Sequence, residues 1–218
     1  MKKIMMVLVI CLLSIFTILC SFVSTPYATP LISSTGLPNA PVIITFDELV
    51  FAEGTEITNQ YAPFGVTFSP SVYYDSQGPV TGIPGITGIS GHYVGNFYLD
   101  NINDPFSINF IFPTPQTEAA FGLATNPGYT TLTALLNGTV VEEFSLRTTY
   151  DNPETAFLGF TNIIFNEIRI SVTDDWGTHY ALVDTIQDCP VPVPEPATIF
   201  LLGSGLLGVA ALMRRRRT

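Results

Sequence analysis

Residues 130–146 read TTLTALLNGTVVEEFSL. Two runs rich in threonine, valine, leucine and phenylalanine flank Asn137-Gly138. Asn-Gly supplies the two positive φ angles of a type I′ turn, so the stretch predicts a β-hairpin of residues 130–136 and 139–146. The same style continues on both sides. Phe106, Ile108, Phe110 and Phe112 alternate with Ser107, Asn109 and Ile111, and Ile168, Ile170 and Val172 alternate with Glu167, Arg169 and Ser171. A period of two places each apolar set on one face of a strand. Further strands are expected at residues 42–46, 65–68, 118–123, 156–160 and 180–187. Outside the termini no stretch has the periodicity of an amphipathic helix. Eight or more short strands separated by Gly, Pro and Asn turns predict an all-β domain, an antiparallel two-sheet sandwich of jelly-roll-like form. Residues 73–98 differ: glycine and proline dominate, and a long irregular loop region is expected there, the kind of segment that carries binding.

The two ends of the 218-residue chain belong to a different physics. Lys2 and Lys3 precede an apolar run from Ile4 to Leu19, and Ser21, Ser24, Pro26 and Ala28 follow. This positive, apolar, small-residue order is that of a secretory signal, with residues 1–28 as a signal helix handed to the secretion translocon. An uncleaved signal anchor is the alternative. At the other end, residues 197–213 carry no charge and are long enough, at roughly 25 Å as a helix, to cross a bilayer core. Arg214, Arg215, Arg216 and Arg217 stay on the cytoplasmic side and place the folded body outside. The expected organisation is a signal peptide (1–28), a sandwich (29–188), a Pro-rich linker (189–196), a transmembrane helix (197–213) and an Arg-rich tail (214–218).

With the ends removed, the charge balance becomes one-sided. Of the eight basic residues only Arg147 and Arg169 lie in the body, against every acidic residue but Glu195 among the 18 in the chain, a net charge of about −15. Such a body repels nucleic acid, which needs clustered Lys and Arg. It suits solubility, divalent cations or an extracytoplasmic setting. Cys11 and Cys20 lie in the signal segment, so a mature chain keeps Cys189 alone and forms no internal disulfide. Cys189 is either an unpaired thiol or a link between chains.

Pro194-Glu195-Pro196, the Gly-rich apolar segment with Gly203, Gly205 and Gly208, and the terminal arginines together resemble a PEP-CTERM sorting signal. The resemblance covers about the last 27 residues. It implies a Gram-negative bacterium that makes exopolysaccharide and an exosortase that recognises the tail and cuts near Pro-Glu-Pro. It also implies passage through an inner-membrane intermediate to the cell surface or extracellular matrix.

The body has its own resemblance. Ile44-Thr45-Phe46-Asp47-Glu48-Leu49, then Asn59-Gln60-Tyr61 and Gly65-Val66-Thr67-Phe68, resembles the opening of exported bacterial jelly-roll domains similar to carbohydrate-binding modules. Ala181-Leu182-Val183-Asp184-Thr185-Ile186 resembles their last strand. In that fold the first and last strands are neighbours, and their acids can hold a structural calcium ion. The resemblance thus makes Asp47 and Asp184 candidate metal residues, with Glu48 a weaker third. Carboxylates are the donors calcium takes.

Catalytic patterns are sparse. His92 and His179 have no metal-ligand spacing, no nucleophile elbow occurs, and Cys189 has no neighbouring base. Glu142-Glu143 and Asp174-Asp175 are paired acids, but neighbours on a strand point to opposite faces. The reading is therefore non-enzymatic: no catalytic residue is assigned and no cofactor beyond calcium. One cluster suits sugar binding, residues 174–180, which hold Trp176, the one tryptophan, beside acids and hydroxyls. Tyr180, and Tyr73, Tyr74 and Tyr93 of the Gly-rich region, are candidates to join it. Trp176 as a lid on the sandwich edge is the competing reading. The expected function is that of a surface or matrix protein that binds exopolysaccharide. A small glycan hydrolase and a ligand-free coat protein are the alternatives.

Overall fold

A computed structural model describes residues 29–69, 72–75, 86, 88–96, 106–175, 177 and 179–191. The signal segment, residues 197–213, the sorting-motif residues Pro194, Glu195, Pro196 and Arg214 to Arg217, and Trp176 lie outside them. The strands are β1 (Thr29–Ser33), β2 (Val42–Ile44), β3 (Glu56–Ile57), β4 (Thr67–Phe68), β5 (Val72–Asp75), β6 (Tyr93–Gly95), β7 (Phe106–Thr125), β8 (Gly128–Leu136), β9 (Thr139–Thr148), β10 (Phe157–Thr161), β11 (Phe165–Asp174) and β12 (Ala181–Pro190). Among the described residues the only helical pieces are two single turns, Ala62–Phe64 and Pro153–Thr155.

The 130–146 hairpin forms as β8 and β9. Asn137 (φ 51°) and Gly138 (φ 79°) both take the left-handed region, as a type I′ turn requires. The predicted strands are present, with moved boundaries. Two differences matter. β1 was not foreseen, because TPLIS carries a proline and no alternation; it is an edge strand pairing only with β10. And β12 runs on to Pro190, so Cys189 belongs to a strand rather than to a linker.

All pairings among the described strands are antiparallel, and β7 organises them. Its first part pairs with β11 and β4, and its last part with β12 and β10. Pro113 and Pro115 lie between the two parts. Proline donates no ladder hydrogen bond, so the ladder lapses there and the strand passes from one sheet into the other. One sheet reads β9-β8-β11-β7-β4. The other reads β3-β5-β6-β12-β7-β10-β1, with β2 on the far half of β12. Phe110 and Phe121, from the two parts of β7, meet ring to ring at 4.5 Å across the sandwich. Around them Ile108, Phe112, Phe160, Phe165, Ile168 and Ile170 fill one core.

At one end of this core sits a buried hydroxyl chain. Thr148 Oγ1 bonds Thr125 Oγ1 at 2.7 Å and Thr130 Oγ1 at 2.6 Å, and all three residues are buried. Thr148→Val keeps the shape and removes both bonds. Its expected cost is about 1–2 kcal/mol, read as a shifted urea midpoint at unchanged slope.

Candidate functional site

Two places on the body hold groups that could bind. The first is built by a flaw in β12. Thr185 has φ 43°, and the register with β7 slips between Asp184 and Ile186. The bulge turns Thr185 N–H onto Asp184 Oδ1 at 2.6 Å. Asp184 is fully buried. Its Oδ2 accepts from the Ser90 N–H at 2.7 Å and from the Ser90 hydroxyl at 3.3 Å. Burial pushes the Asp184 carboxyl up to about 6, while the Ser90 and Thr185 donors pull it down.

Two residues further along the same loop, His92 N–H donates to Asp47 Oδ1 at 3.0 Å, and the His92 ring Nδ1 pairs with that oxygen. The His92 ring stacks on Tyr74 at 5.2 Å. Gly91, between them, has φ 72°, and a Cβ there would stand 2.5 Å from Asp47 Oδ2. Only glycine lets the backbone pass so close. β2 and β12 are neighbours, with Ile44 opposite Ile186, so the strands flanking Asp47 and Asp184 do run side by side. The two carboxylates hold one short loop, Ser90 to His92, by amides two residues apart.

Glu48 spends its carboxylate locally, accepting from Thr45 N–H at 2.7 Å and from its hydroxyl. Among the described residues no three His, Cys, Asp or Glu side chains are grouped to hold a metal. A calcium ion would find two carboxylates here and would need carbonyl oxygens to complete its shell.

The tyrosines divide. Tyr74 is fully buried and its hydroxyl donates to Leu49 O at 3.2 Å, so it offers no face to a sugar; this corrects its assignment as a ligand contact. Tyr93 is buried as well. Tyr73, on the opposite face of β5 from Tyr74, and Tyr180 are half-buried. Burial of Tyr74 raises its hydroxyl, which stays a neutral donor.

The second place was not foreseen. Arg147 and Arg169 both lie on the outer face of the β9-β8-β11-β7 sheet. Arg169 is opposite Thr133 on β8 and Asn109 on β7, and Thr133 is opposite Glu143 on β9. Arg147 is opposite Tyr129, which is opposite Thr173. Between these rows runs a line of hydroxyls across four strands: Ser145, Thr131, Ser171 and Ser107. The groups are tied together. Arg147 Nη2 donates to Asp175 Oδ2 at 2.5 Å, and its guanidinium lies 6.0 Å from the Tyr129 ring centre. Arg169 donates to Asn109 Oδ1 at 3.2 Å and to Glu167 Oε1 at 3.3 Å. Thr133 Oγ1 donates to Glu143 Oε2 at 2.8 Å, and Thr131 Oγ1 to Ser145 Oγ at 3.1 Å. Tyr129 is 55% exposed. A flat face with one open aromatic ring, ordered hydroxyls and paired charges offers a ring to stack on and both donors and acceptors beside it.

Residues 192–217 match the PEP-CTERM protein-sorting motif. The motif marks an exported protein sorted to the cell surface in an exosortase-dependent way, and it begins one residue after the last described residue, Val191. Among solved structures the body is similar to a CBM32 module from a family 31 glycoside hydrolase of Clostridium perfringens. That similarity has 12% identity and a TM-score of 0.34, over 45% of this chain and 75% of that one. A second is TmCBM61, solved in complex with β-1,4-galactotriose, at 12% identity and a TM-score of 0.32, over 58% of this chain and 87% of that one. No curated protein matches the chain.

Proposed function

We propose that this is an exported surface or matrix protein that an exosortase processes at its tail, with a non-enzymatic sandwich that associates with exopolysaccharide. The observation that carries the reading is the sorting motif at 192–217, set directly after the strand that closes the body. The signal segment hands the chain to the translocon, and the apolar segment holds it at the inner membrane until processing. The outer face of β9-β8-β11-β7 is the part that meets the polysaccharide. Tyr129 stacks on a sugar ring, and Arg147, Asp175 and the hydroxyl line bond its hydroxyls. Co-sedimentation of the protein with exopolysaccharide from its own host tests this. Wild type is expected to bind, and Tyr129→Ala to weaken binding about tenfold, or about 1.4 kcal/mol. If wild type stays in the supernatant, the exopolysaccharide reading fails and a ligand-free coat takes its place. If Tyr129→Ala binds like wild type, the sheet face is not the contact.

For Asp47 and Asp184 we propose a structural calcium ion. What supports it is the placement of positive charge. Both arginines of the body lie on the outer face of the other sheet, and among the described residues neither Asp47 nor Asp184 forms an ion pair with an arginine or lysine. A ligand of the folded state stabilises it by roughly 2.7 kcal/mol at a hundredfold excess over Kd. The protein is expected to melt higher in calcium than in chelator, and Asp184→Ala to erase the difference. Equal melting of wild type in the two buffers refutes the ion.

A further inference from the structure

β12 ends over a cavity of about 140 Å³ whose walls include Val42, Phe64, Pro113 and Pro190. Three polar residues line it, Thr114, Asp188 and Gln116, and the last two are more than nine-tenths buried. Gln116 Nε2 is satisfied by Thr114 O at 2.8 Å, but its Oε1 is buried without a partner. Asp188 sits two residues beyond Ile186, opposite Val42, and burial is what raises its carboxyl. The fold has therefore sunk an amide oxygen without a donor beside a largely buried carboxylate. Buried acceptors are otherwise almost always paired, and each gap of this kind asks for the group that fills it.

We propose that this cavity binds a protonated amine carried on a ring-sized body, an amino sugar in its ammonium form. Three features select it. Gln116 Oε1 and the Asp188 carboxylate are acceptors, the second of them anionic, so the ligand must bring donors and positive charge. The volume is several times the share of one water and close to that of a cavity that holds benzene, so a six-membered ring fits. The walls are apolar, which suits the carbon face of a ring and disfavours a metal ion. Calcium takes six to eight oxygens, whereas Asp188 and Gln116 Oε1 supply three. The site stands apart from the sheet face and does not depend on it. It lies at the end of β12, where Val191 N–H bonds Pro115 O at 2.9 Å immediately before the sorting motif.

Isothermal titration of the full chain in detergent micelles tests the site with four probes: glucosamine, N-acetylglucosamine, glucose and n-butylamine. Glucosamine is expected to bind about tenfold or more tightly than N-acetylglucosamine and glucose, which lack the charge. Asp188→Asn, a neutral isostere that keeps the cavity, should lose that preference, and Gln116→Met should weaken glucosamine alone. The titratable groups nearest the acid are Cys189, beside it on β12, and Glu118, opposite Cys189 on β7. Burial places the Asp188 carboxyl at about 6, so glucosamine affinity should fall about tenfold per unit once the pH is well below that value. The proposal is overturned if glucosamine does not saturate or if glucose matches it. It is equally overturned if n-butylamine binds more tightly, or if Asp188→Asn binds as wild type does.

Discussion

In calcium-free buffer the melting temperature of this protein is expected to rise, not fall, as the pH is lowered from about 7.5 to about 5. Most proteins lose stability on that path because their carboxylates are ionised and paired in the fold. Here two carboxylates are buried with their acidities shifted the other way. Asp184 and Asp188 each move from 3.8 to about 6, and in both the cause is burial. A group whose folded pKa is raised favours the fold when protonated. Its contribution is complete below 3.8, the unfolded value, and is lost as the pH climbs through about 6. A shift of that size, discounted for solvent reaching the carboxyl, is worth roughly 1–3 kcal/mol per group. The body's acidic excess works in the same direction, since protonation relieves self-repulsion. Together these predict a rise of roughly 5–10 °C. Asp188→Asn should remove its share of the slope and raise the melting temperature near neutral pH, because no charge is then buried. A wild-type melting temperature that falls steadily from pH 7.5 to 5 contradicts the burial of these acids.

The second large effect is expected at the other end of the chain. In the proposed topology, replacing Arg214, Arg215, Arg216 and Arg217 together by alanine should release the tail from its membrane stop. Each arginine costs about 2.5–3.5 kcal/mol at mid-bilayer, a cost the small apolar alanine does not carry, so four substitutions remove most of the barrier to translocation. The substituted chain is expected to leave the membrane fraction and to escape processing, while its export through the N-terminal segment continues. Fractionation with an antibody to the body reads this directly. Retention and processing indistinguishable from wild type would show that the arginines do not fix the topology.

The hairpin, the alternating strands and the sorting tail were legible because each rests on local chemistry. Asn137-Gly138 dictates its turn, and Phe106 to Phe112 dictates its face. The sheet face was hidden by register. Counting back from the two-residue turn places Leu146 opposite Tyr129, and Val141 opposite Ala134. The structure instead places Glu142 opposite Ala134 and Arg147 opposite Tyr129, because a bulge shifts the ladder between Ala134 and Leu135. A single extra residue thus decides which side chains share a face, and nothing in the sequence marks it. The burial of Tyr74 was hidden for a similar reason. Tyr73 and Tyr74 must point to opposite sides of β5, but only the packing of Tyr74 beneath Leu49 and Phe51 says which is inside. Asp188 lies one residue past the expected end of its strand, and its burial follows from β12 running on to Pro190.

Export and cleavage at the sorting motif are tested by the intact mass of protein extracted from the surface of an exosortase-bearing host. The expected species lacks the signal segment and ends near Pro194-Glu195-Pro196, without the apolar segment and the arginines. A mass that retains Arg214 to Arg217 would contradict that cleavage.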